Sequence, residues 1–162
     1  MSCTRFSAAA LLALAASHAA AEDIRYPSDF KPALMIHAPK GWTSERTKAL
    51  LSENLSLQSP DGTMVFSISL TPTLGSVDTI AAKILHGKPT SKAQAKFAGL
   101  NAFVYRGQAT NPDGLKLHLK LIVAPIDPQE AYACTLITAR DDNDPDLKQA
   151  GDIVAGIKLL SK

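Results

Sequence analysis

The chain has 162 residues, 46% of them hydrophobic and 20% charged, with a formal net charge of +2. So even a balance excludes the strong basic excess that nucleic acid or an anionic membrane surface calls for. The two cysteines are Cys3 and Cys134, and the first falls in a leader-like segment, so the core is expected to hold without a disulfide.

Residues Met1 to Ala21 read as a secretory signal peptide. Arg5 is the only charge, Ala8 to Ala16 is an Ala/Leu run, and Ala19-Ala20-Ala21 offers small residues for cleavage. The run is too short for a membrane span, which takes ~20 apolar residues. The expectation is export to the periplasm, cleavage near Ala21, and one domain over residues 22–162.

Glu22 to Lys31 is polar, with Pro27 and then Pro32 following, and reads as an extended arm. Ala33 to Ala38 is a short strand stopped by Pro39 and Gly41, in a turn that presents Trp42, the only tryptophan. Thr43 to Leu51 suits either an extended segment or a helical turn. Asn54 to Gln58 and Thr63 to Leu70 both alternate, with Ser59-Pro-Asp-Gly62 between them, which predicts a β-hairpin.

Ser76 to Gly87 carries a helix signature. Ser76 can cap, Asp78 lies in the first turn, and Val77, Ile80, Ala81, Ile84 and Leu85 form one apolar stripe. Gly87 suits the position just past the end. Asn101 to Gly107 is a strand, and Asn111-Pro-Asp-Gly114 is a second hairpin turn.

The fold is organised around Leu115 to Val123. Leu115, Leu117, Leu119 and Leu121 share one face of a strand, and Lys116, His118 and Lys120 share the other. One dry and one wet side predict an antiparallel sheet covered on one face. Pro125-Ile-Asp-Pro128 is expected to end that strand. Glu130 to Ala139 is the next, with Tyr132, Cys134 and Leu136 on one side. Cys134 is expected to be a buried small hydrophobe. Asp146 to Leu160 then reads as a helix, with Asp144 as cap and Pro145 at its first position.

Motifs for chemistry are sparse. The acidic run from Asp141 to Asp146 fails as an EF-hand loop. Begun at Asp142, it places Leu147 where Gly is needed and Ile153 where Glu is needed. His37, His86 and His118 show no metal-ligand spacing. No G-x-S-x-G, P-loop or G-x-G-x-x-G is present. No cofactor is expected. The candidate partner-binding residues are Lys116, His118 and Lys120, as a docking patch for an anionic group or an acidic protein, together with Trp42. Each also has a plain structural reading, as a solvated face and a core anchor.

The order of elements resembles the PsbP-like family, which includes photosystem II extrinsic proteins, Ran-binding nuclear relatives and bacterial DcrB proteins. The resembling segments are Pro39-Lys-Gly-Trp42, Leu57-Gln-Ser-Pro-Asp-Gly62, Phe97-Ala-Gly-Leu-Asn-Ala102 and Ile153-Val-Ala-Gly-Ile-Lys-Leu159. The resemblance implies an α+β fold, an antiparallel sheet with two main helices packed against it. It also implies a non-enzymatic binding or accessory role. The expectation is therefore an exported binding protein of the periplasm. An inhibitor or immunity protein against a secreted hydrolase is the alternative, with Thr71 to Gly75 or Asn111 to Gly114 as its plugging loop. A third reading, a hydrolase without recognisable motifs, would need Asp or His side chains converging in a pocket.

Overall fold

A computed structural model of the protein describes residues 20–28, 33–49, 52–72, 75–127, 131–140 and 143–160. The signal-peptide reading falls almost entirely outside these residues, as do Thr73, Leu74, Asp141 and Asp142.

The described residues form ten strands and two helices. In order they are β1 (Glu22–Tyr26), β2 (Ala33–Ala38), β3 (Thr43–Ala49), β4 (Ser52–Gln58), β5 (Met64–Pro72) and α1 (Val77–Ile84). There follow β6 (Ser91–Phe97), β7 (Leu100–Thr110), β8 (Lys116–Asp127), β9 (Ala131–Ala139), α2 (Asp146–Gly156) and β10 (Lys158–Leu160). A seven-stranded sheet has the order β3-β4-β5-β9-β8-β7-β6, and a three-stranded sheet the order β1-β2-β10. Every pairing is antiparallel. The architecture is α+β, as the sequence predicts.

Both expected hairpins form. The Ser59–Gly62 turn is held by Asp61, whose Oδ1 accepts from the Ser59 hydroxyl at 2.7 Å and from Thr63 N–H at 2.9 Å. Ser59 Oγ in turn accepts from Met64 N–H at 3.1 Å. The Asn111–Gly114 turn joins β7 to β8, with Asn111 Oδ1 accepting from Leu115 N–H at 2.8 Å. Asn and Asp side chains close such turns on their own backbone.

The large sheet is covered on both faces, which corrects the expectation of one dry and one wet side. On one face α1 lays Ile80, Ala81 and Leu85 over Tyr105, Leu121, Val123 and Cys134. On the other, α2 and the small sheet enclose Phe66, Ile68, Ile122, Ala124 and Ile137 with Leu34, Ile36 and Ile153. β8 therefore changes character along its length. Leu115 is 41% exposed and Leu121 is buried, because α1 lies only over the later part of the strand. The face that begins with Lys116, His118 and Lys120 continues as Ile122, Ala124 and Ile126, which are core.

Three further expectations are corrected. The arm from Glu22 contains β1, paired with β2 from Glu22↔Ala38 to Tyr26↔Leu34. β8 runs through Pro125, with a register shift between Pro125 and Asp127. Its pairing with β7 has already ended at Phe103↔Val123, so the missing proline N–H breaks no bond on that side. The last helix stops at Gly156, and Lys158 to Leu160 pair with β2 as β10. Gly151 and Gly156 give weak helix propensity, and an open strand edge wins the final residues. Thr43 to Ala49 resolves as strand β3.

The two sheets are tied at Glu53, whose side chain is 7% exposed. It accepts from Ser28 N–H at 3.2 Å, from Ser28 Oγ at 2.9 Å and from Arg46 Nη1 at 2.8 Å. The Tyr26 hydroxyl donates to the Glu53 carbonyl. Burial pushes the Tyr26 phenol well above its usual range.

Candidate functional site

The hairpin turn at Asn111–Gly114 fixes the register of β7 against β8. Thr110 stands opposite Lys116, Gln108 opposite His118, and Arg106 opposite Lys120. Directly opposed residues in an antiparallel pair share a face, so these six side chains form one polar surface. It lies beyond the end of the core on the side covered by α2. On β9, Ala139 is opposite His118 and Ile137 opposite Lys120.

Arg106, Gln108, His118, Lys120, Ile137, Ala139 and Leu147 border a groove of about 460 Å³, with Thr90 at its rim. That is the size of a small ligand site, typically ~300–1,000 Å³. The buried Ile137 and Ala139 make an apolar floor, and Leu147 on α2 makes one wall. Thr90 is fixed there, because its N–H donates to the Arg106 carbonyl at 2.8 Å. Among the described residues neither Arg106 nor Lys120 has a carboxylate within ion-pair distance. His118 is engaged in an interaction of its own.

Of the residues expected to bind a partner, His118 and Lys120 line the groove, and Lys116 is exposed next to it. Trp42 is elsewhere. It is 2% exposed, and its Nε1–H donates to Gln149 Oε1 at 2.8 Å, tying the turn after β2 to α2. The expectation that it serves as a docking residue gives way to its other reading, a core anchor. Arg106 and Gln108 were not singled out by sequence reasoning. Counting back from the Asn111–Gly114 turn would have placed both opposite Lys120 and His118.

A second cluster lies under α1. Asp78 Oδ1 accepts from the Tyr105 hydroxyl at 2.6 Å and from Lys92 Nζ at 2.7 Å. Lys92 Nζ also stands 4.5 Å from the centre of the Phe103 ring. Lys92 and Tyr105 hold the Asp78 carboxyl below the usual carboxylate range. Every polar end here is satisfied by another, so the cluster reads as a clasp between α1 and the edge of the sheet. Cys134 is buried, and burial raises its thiol, which leaves it a poor nucleophile.

No group of three or more His, Cys, Asp or Glu among the described residues is placed to hold a metal ion. No helix among them is long and apolar enough to cross a membrane.

The chain matches no protein-family model and no curated protein. Solved structures do share its fold. One is a Bacteroides thetaiotaomicron protein, with a TM-score of 0.54 at 15% identity over 80% of this chain. The chain spans about half of that protein, 46% of its length. Another is LpqN of Mycobacterium tuberculosis, described as involved in cell envelope biogenesis. It has a TM-score of 0.53 at 16% identity, over 86% of this chain and 90% of LpqN. At such identities the likeness is one of fold.

Proposed function

We propose that the protein is an exported accessory module of the cell envelope that acts by binding an anionic group in the β7–β8 groove. Three things support this reading. The first 21 residues have the composition of a secretory leader. A protein of similar fold works in envelope biogenesis. The observation that carries it is the Arg106–Lys120 pair, two cations set side by side and, among the described residues, with no carboxylate in ion-pair distance of either. The PsbP-like resemblance agrees with a binding role.

The test is fractionation of cells expressing the full chain, wild type against R106Q/K120Q. The reading expects a product in the periplasm with its N-terminus near Ala21. It expects retention of the wild type, but not of the double variant, on immobilised envelope extract. A chain kept in the cytoplasm, or equal retention of the two proteins, would sink it.

A further inference from the structure

We infer that the groove takes the phosphate of a phosphomonoester carried on a short apolar body. This rests on the groove being a binding site and names its ligand.

Like charges directly opposed on neighbouring strands repel, and proteins ordinarily avoid the arrangement or place a counter-charge beside it. Here Arg106 and Lys120 are opposed, and among the described residues neither has a carboxylate in ion-pair distance. An anion seated between the two removes the repulsion and converts both into attraction.

The donors select the kind of anion. Arg106 offers a planar fork that can take two oxygens at once, and Lys120 offers a compact ammonium. Gln108, one pair further along the same face, adds an amide donor. Arg alone can meet both oxygens of a carboxylate with its fork. Three donor groups bordering one groove suit an anion with three terminal oxygens and more than one charge.

The floor selects what the anion is attached to. Beside the cations the half-buried Leu147 is the exposed apolar wall, next to Ile137 and Ala139, which are each only 2% exposed. A few methylenes of the ligand would cover them, and each buried methylene strengthens binding several-fold. A free phosphate ion would leave that surface wet.

The test uses the protein recovered after export. n-Hexyl phosphate, hexanoate and inorganic phosphate are titrated calorimetrically, and flotation is followed with phosphatidylcholine vesicles with and without phosphatidic acid. The expected result is saturable binding of hexyl phosphate, roughly tenfold tighter than either comparator. It is lost in R106Q/K120Q and kept in K40Q, in the turn after β2 and away from the groove, with circular dichroism unchanged in both variants. Hexyl phosphate without flotation assigns a soluble ester. Flotation on phosphatidic acid that the double variant loses assigns a lipid headgroup. Binding of neither probe, binding unchanged in the double variant, or hexanoate equal to hexyl phosphate would overturn the inference. If hexyl phosphate fails while the double variant still loses envelope retention, the proposed function stands and only the phosphate assignment falls.

Discussion

The Tyr105 hydroxyl donates to Asp78 at 2.6 Å, from the middle of β7 to the first turn of α1. Together with Lys92 this bond favours the ionised carboxylate, so the Asp78 carboxyl is held low in the folded chain. A carboxyl that is held low stabilises the fold above its unfolded value, near 4, and loses that contribution as pH falls through its folded value. Asp78→Asn should therefore have a lower urea midpoint than wild type at neutral pH. The gap between the two should narrow steadily on acidification below about pH 4. A gap independent of pH would mean that the charge on Asp78 is not what clasps α1.

Thr135 stands in the centre of the large sheet, opposite Ile68 on one side and Ile122 on the other. It is 0% exposed, and its hydroxyl has no hydrogen-bond partner. A buried hydroxyl without a partner costs about 1–3 kcal/mol relative to an apolar group of the same shape. Thr135→Val keeps the shape and should stabilise the protein by about 1 kcal/mol, read as a higher urea midpoint at unchanged slope.

α1 ends in a Schellman arrangement. Gly87 N–H donates to the Ala82 carbonyl at 3.0 Å and His86 N–H to the Lys83 carbonyl at 3.4 Å. The sequence points to Gly87 as the left-handed residue, but that conformation falls on His86, at φ 53°. A side chain there costs roughly 1–2 kcal/mol, of which glycine recovers part after its larger unfolded-state entropy is counted. His86→Gly should raise stability by about 0.5–1 kcal/mol, measured as a shift in thermal midpoint.

Lys120→Glu should act on stability and binding in opposite directions. It replaces the repulsion at Arg106 with a cross-strand ion pair, a gain of a few tenths of a kcal/mol because Arg106 is exposed. It also places a negative charge where the proposed ligand sits. The expected outcome is a slightly higher melting temperature with anion binding abolished.

How much of this was legible in the sequence depended on the range of the interaction. The Ser59–Gly62 and Asn111–Gly114 turns, the Ser76 cap and the α1 stripe are local, and each is where its residues place it. β1 and β10 were missed because neither alternates clearly. Both exist because β2 offers each of them an edge, a fact that belongs to the assembled molecule. The second cover was missed for the same reason. Ile122, Ala124 and Ile126 follow the polar side of Leu115 to Val123, and only the position of α2 shows that this side becomes core. Half of the groove was visible as His118 and Lys120, next to Lys116. The other half, on β7, required register as well as alternation.

β2 sits between one strand that precedes it and one drawn from the far end of the sequence. During synthesis its second edge stays open until Lys158 to Leu160 have been made. Pairing at so large a separation closes slowly. Among the described pairings β2 with β10 spans the greatest distance along the sequence, so the small sheet is expected to close after the large one.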